Sequence, residues 1–228
     1  MPLGDNSAVA GTAIRINVRP LASPLPLGLF AFGIGMVLLA AQTAGWIPVR
    51  EATQVGLLLA AFVFPLEGVA TIIAFLARDA LAATALGIFT TSWLALGVSL
   101  IIGAPGAISP ALGFYLLAFT APVISLALVG VAGKPLIALL LWLSAARALV
   151  DGIYQFTASA GVEHAAGYIA ATIALLSWYG GTALLVEDVR QRTVLPVFRR
   201  GSGRAALEGG LGAQLERAQR DAGVRQQL

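Results

Sequence analysis

The chain of 228 residues contains no cysteine and a single histidine, His164. Disulfides and thiolate metal centres are therefore excluded, and a multi-histidine metal site with them. Charge is scarce as well: 11% of the residues are Asp, Glu, Lys or Arg, against about 25% in an ordinary soluble domain. No glycine-rich loop joins a strand to a helix, so no cradle for phosphate is offered. His164 has no partner set for a hydrolase triad. These absences argue against an enzyme, a cofactor, a resident metal or a nucleic-acid partner.

What is present is apolar length. Hydrophobic residues make up 58% of the chain and the mean hydropathy is +0.88. A helix needs about 20 mostly apolar residues to cross a bilayer, and the apolar runs divide into six. They are expected at residues 26–44, 54–77, 81–102, 110–131, 136–158 and 163–186. Turns rich in Gly and Pro punctuate them, at Gly45 to Pro48, at Gly103-Ala104-Pro105-Gly106 and at Gly133-Lys134-Pro135. Pro65 and Pro122 fall inside runs and predict kinks. Arg78-Asp79 reads as a short solvated turn. The composition and pattern give an all-α membrane protein with six transmembrane helices.

Orientation follows the positive-inside rule. With the N-terminus inside, Arg15, Arg19, Arg78, Lys134 and the basic residues from Arg190 to Arg225 are cytoplasmic, and Arg50 alone lies outside, beside Glu51. Both termini are expected in the cytoplasm. Residues 1–22 read as a flexible cytoplasmic arm without the pattern of a secretory signal, 23–196 as the six-helix transmembrane domain, and 197–228 as a basic cytoplasmic tail. In that tail Arg199-Arg200-Gly201-Ser202-Gly203-Arg204 looks like a linker suited to anionic lipid. Leu207, Leu211 and Leu215 suggest a short helix weakened by neighbouring glycines.

The first apolar run opens on Ser23-Pro24-Leu25-Pro26-Leu27-Gly28-Leu29. Proline is tolerated in the first turn of a helix, and the Ser23 hydroxyl is placed to cap the free N–H groups there. A helix start of this kind offers a positive dipole end to an anion. Charges inside spans are costly and face partners or water-filled paths, and three occur here. Arg147 and Asp151 lie four apart on one face of the fifth run, with Gln155 extending the stripe. Glu67 lies two residues after Pro65. The three fit two roles: a buried ion pair that locks helix packing, or a relay in which Arg147 attracts a carboxylate while Asp151 or Glu67 takes up a proton. Glu163 and His164 read as a polar pair at the start of the sixth run.

The same opening stretch resembles the Asn-Pro-Ala-Pro-Leu-Gly-Leu signature of the acetate uptake transporter family, the YaaH/SatP-type proteins. Arg192-Thr193-Val194-Leu195-Pro196, Ala44-Gly45-Trp46 and Phe89-Thr90-Thr91-Ser92-Trp93 resemble further segments of that family in the same order. The resemblance spans residues 23–196. It implies a six-helix protein with a pore in each subunit, passing acetate and related short-chain carboxylates together with a proton. It also implies a homo-oligomer, commonly a hexamer, in the inner (plasma) membrane, with the lipid bilayer, small carboxylates and protons as partners. Ser23 to Leu29 become the expected substrate-binding stretch, with Ser23 standing where the family has asparagine. By register, an apolar constriction is expected at Phe32, Phe89 and Ser144. Phe89 stands where tyrosine is frequent, and Ser144 where an aliphatic residue is usual. A channel for small neutral solutes such as urea, short amides or ammonia is the alternative function. A membrane sensor with the basic tail as its output is a third class.

Overall fold

Why the chain breaks where it does is visible at each helix end. A computed structural model describes residues 21–190 and 192–200, and six long helices account for most of them. The first, α1, runs Leu25–Thr43 and starts behind Pro24, with Pro26 in its first turn. Next, α2 runs Val49–Leu76, entered through a tight turn at Val49–Glu51. Then come α3 at Ala80–Ile102, α4 at Pro110–Val131, α5 at Pro135–Thr157 and α6 at Ala160–Arg190. Each is long and apolar enough to cross a membrane. Proline sits in the first turn of α1, α4 and α5, where its missing N–H costs nothing. Asp79 and Ser109 cap α3 and α4 by accepting from the N–H groups of Ala82 and Leu112. Among the described residues there is no strand, and the chain is an all-helical, multi-pass membrane protein.

Two helices exceed their expected lengths. α2 begins at Val49 rather than 54 because the Val49–Glu51 turn feeds directly into it. α6 continues past 186 through Glu187, Asp188 and Arg190, since helical hydrogen bonding does not stop where hydropathy falls. The kink expected at Pro65 takes a particular form. Proline removes one hydrogen bond and crowds the carbonyl four residues earlier, and Leu59–Val63 relaxes into a wide π turn.

The helices close into a ring, α1 to α6 in order, with α6 returning against α1. Packing is densest within three pairs, α1 with α6, α2 with α3, and α4 with α5, while the α3–α4 seam is thin. In the α2–α3 pair the backbones nearly touch at Gly56 and Gly97: a Cβ on either would lie 2.5–2.7 Å from the other's carbonyl oxygen. Only glycine permits that approach.

At the near end, where α1 starts, polar contacts tie the turns together. Asp79 of the α2–α3 turn pairs with Lys134 of the α4–α5 turn, so Arg78-Asp79 is not simply a solvated turn. Arg199 reaches Glu187 of α6 at 2.5 Å, and Thr193 donates to the same carboxylate at 2.9 Å. The hydroxyl of Tyr179 donates to the carbonyl of Pro196 at 2.8 Å. The Arg200 N–H donates to the Gly133 carbonyl at 3.3 Å, and Val197 is buried in the core. Residues 197–200, expected to begin a solvated tail, therefore pack on the bundle. Most of the N-terminal arm and the suggested helix at Leu207, Leu211 and Leu215 lie outside the described residues.

Candidate functional site

Counting along the helices at 1.5 Å per residue, Phe32 lies about 11 Å from the near end of α1, and Phe89 and Ser144 about 14 Å from those of α3 and α5. All three therefore fall near the middle of a hydrocarbon slab about 30 Å thick. Side-chain packing agrees with that shared level. The rings of Phe32 and Phe89 meet edge to face, with centroids 4.9 Å apart. Trp93 touches Phe32 at 5.6 Å, and Phe119 of α4 touches Phe89 at 5.3 Å. Four aromatic rings from α1, α3 and α4 thus meet inside the helix ring, each in the edge-on arrangement that aromatic quadrupoles favour.

Beside this cluster is a small cavity lined by Met36, Phe89, Ser92, Trp93, Ser144 and Arg147, among others. About 20 Å³ of it is open to water centres. That is room for about one water molecule and too little for an acetate-sized anion. Ser144 spends its hydroxyl proton on the Leu140 carbonyl at 2.7 Å, which leaves its oxygen as an acceptor at the wall.

Arg147 is the one cation on that wall. Its side chain is 5% exposed, and a terminal nitrogen donates to Asp151 at 3.1 Å on the next turn. Its Nε finds no hydrogen-bond partner, an expensive vacancy for a buried donor. Guanidinium presents parallel donors that match two carboxylate oxygens, so a carboxylate at this wall would need the cavity to widen first. Gln155, one turn beyond Asp151, accepts from the Ser109 N–H at 2.9 Å and ties the far end of α5 to the start of α4.

The third intramembrane charge is held elsewhere. Glu67 is wholly buried on α2 and accepts from the indole N–H of Trp93. Its other carboxylate oxygen has no partner. The expected relay is thus split: Arg147 and Asp151 form a pair, while Glu67 meets the cavity only through Trp93.

The opening stretch behaves differently from expectation. Ser23 is exposed and does not cap α1; Pro24 occupies the cap position with no side-chain hydrogen bond. Pro24, Pro26, Gly28 and Leu29 are buried, Leu25 is half-buried, and Leu27 faces outward. None of Ser23 to Leu29 lines the central cavity; Leu25 lies about 16 Å along α1 from Met36. Of the polar residues near the third-helix aromatic, Thr90 bonds Thr71 across the α2–α3 contact at 3.1 Å, and Ser92 lines the cavity. At the start of α6, Glu163 lies beside Tyr154 of α5.

Sequence reasoning assigned no role to Trp93 or Phe119. The second had a usable signal: Tyr115 and Phe119 lie four apart with Thr120 alongside, and their rings pack together, with centroids 5.9 Å apart.

The overall arrangement is similar to that of a solved protein, the bacterial acetate channel SatP. The likeness has a TM-score of 0.70 and covers 78% of this chain and 99% of that one, at 21% sequence identity. At that identity it speaks to the fold alone. No curated protein matches the sequence. Residues 6–199 match the GPR1/FUN34/yaaH family, a span that takes in all six helices and the packed segment after them, and the chain belongs to that family.

Proposed function

We propose that this chain conducts acetate and related short-chain carboxylates across the membrane, with a proton moving alongside. The observation that carries the reading is Arg147: a buried guanidinium with an unpartnered Nε, on the wall of a cavity inside a ring of apolar helices. A carboxylate is the small solute that such a group selects. The aromatic cluster of Phe32, Phe89, Trp93 and Phe119 supplies the hydrophobic constriction, which excludes water and hydrated ions when empty. Ser144 offers an acceptor beside it. The likeness of the fold to an acetate channel and the family membership point the same way.

Asp151 is the proton site in this reading. While it is ionised, it occupies a terminal nitrogen of Arg147. Protonation weakens that pair and frees the guanidinium for an incoming carboxylate. Anion and proton then bind together, and the net charge of the site stays constant. Ser23 to Leu29, at the near mouth, form the first surface an anion meets, with the positive end of α1 directed at it. The near end faces the cytoplasm, both termini with it, as the distribution of Arg and Lys favours. The membrane is the plasma membrane, and several copies, six by family resemblance, assemble with one pore each.

The test is uptake of radiolabelled acetate into liposomes holding the purified protein, with and without an inward proton gradient. Protein-free liposomes set the background, because acetic acid crosses lipid unaided. Saturable, gradient-stimulated uptake competed by propionate is the expected result. Uptake at background, together with protein-dependent urea or ammonia flux, would replace this reading with a channel for neutral solutes.

A further inference from the structure

Glu67 is a costly residue for α2 to carry. It is completely buried at about the middle of the apolar slab, one of its oxygens is unpartnered, and burying a carboxyl group without full hydrogen bonding is unfavourable. Nothing ionisable on its nearest neighbours offsets that cost, since neither α1 nor α3 carries an ionisable side chain. What the carboxyl group does have is the indole N–H of Trp93. The π turn at Leu59–Val63 ends one helical turn before it, and a wide turn of this kind resets which way the following residues face.

Trp93 in turn is held from a second side. A Cβ on Gly35 of α1 would lie 2.8–3.1 Å from its ring, so the α1 backbone presses directly on the indole. The ring is almost fully buried, touches Phe32 and forms part of the cavity wall. Its position is therefore set by a steric stop on one side and a hydrogen bond on the other.

We infer that Glu67 is a positioning residue for the constriction: its carboxyl group latches the Trp93 indole, and the latched ring sets the size of carboxylate that passes. The inference rests on the proposed conduction path and adds to it a determinant of specificity on a helix that does not itself reach the cavity. Releasing the latch lets the indole leave the wall and admits longer acyl chains. Glutamine at position 67 keeps an oxygen that accepts from the indole, so Glu67→Gln retains the latch, while Glu67→Ala removes the acceptor. Trp93→Phe keeps an aromatic ring and removes the donor.

The experiment has two readouts. The first is the butyrate-to-acetate flux ratio in proteoliposomes. Glu67→Ala and Trp93→Phe are each expected to raise it by about tenfold or more, since an apolar pocket discriminates about tenfold or more per methylene and butyrate carries two more than acetate. The double variant should raise it no further, and Glu67→Gln should match the parent. The second is hydrogen exchange of the Trp93 indole N–H, followed by NMR of protein labelled with ¹⁵N-tryptophan and assigned with Trp93→Phe. It should be slow in the parent and in Glu67→Gln, and fast in Glu67→Ala. An unchanged ratio in folded Trp93→Phe, or additive effects in the double variant, overturns the inference; so does slow exchange in Glu67→Ala. Absence of carboxylate flux in the parent overturns the conduction reading instead, and the exchange readout still decides the latch. Should Glu67→Ala not fold, Trp93→Phe decides the ratio alone.

Discussion

Two carboxyl groups are buried within the apolar spans of this bundle, and they are stabilised in opposite ways. Asp151 has a cation one turn away on its own helix; Glu67 has only a neutral indole on a neighbouring one. The first arrangement is a local ion pair, the second a tertiary hydrogen bond from a neutral donor. Removing a partner should therefore have unequal consequences. A buried anion that loses its cation is left with an uncompensated charge, whereas a carboxyl group that loses an indole donor loses one neutral hydrogen bond.

The sharpest way to break the comparison is Arg147→Met. It strands Asp151, and breaking a buried pair from one side costs about 3–5 kcal/mol. Folded yield in detergent should fall steeply and uptake should vanish, whereas Arg147→Lys keeps the charge and should leave a folded protein with weaker acetate saturation. Asp151→Asn comes next. It keeps Arg147 and a polar neighbour, so the protein should stay folded and still pass acetate, but an inward proton gradient should no longer accelerate uptake. A protein that disappears from the membrane would instead assign the pair to packing alone.

On the other side of the comparison, Gly35→Ala forces a methyl group against the Trp93 ring. Overpacking of this kind costs about 1–3 kcal/mol, read as a lowered melting temperature, and the displacement should be visible in the Trp93 indole resonance. Lys134→Met is the expected smallest effect. It removes the partner of Asp79 in a pair about a quarter exposed, and such pairs contribute about 0–1 kcal/mol. Melting should barely move, which would confine the electrostatic sensitivity to the buried pair.

The fold was legible because a bilayer imposes a length. Apolar runs separated by Gly, Pro and a few charges locate six crossings without any knowledge of the side chains' partners. Ends were harder, since α6 carries Glu187, Asp188 and Arg190 within its helix and hydropathy cannot see that the hydrogen bonding continues. The centre was legible only in part. Phe32, Phe89 and Ser144 were placed through resemblance; the first two rings touch, and Ser144 lines the same cavity as Phe89. Phe119 was not found because α4 is apolar on every face. In lipid, outward Phe114, 68% exposed, and inward Phe119 are the same kind of residue by pattern. Trp93 was quoted as part of a motif, yet its acceptor lies 26 residues back on another helix, a separation no local pattern reveals. Ser23 was misjudged as a cap because Pro24 takes that place itself.

The dense packing within three helix pairs has a mechanical consequence. Where backbones meet as closely as at Gly56 and Gly97, two helices cannot slide independently and move as one leaf. The bundle is then an iris of three leaves rather than a tube of six staves. Phe32 rides on the first leaf, Phe89 and Trp93 on the second, Phe119 and Arg147 on the third. The thin α3–α4 seam, between the second leaf and the third, is where the ring is held least.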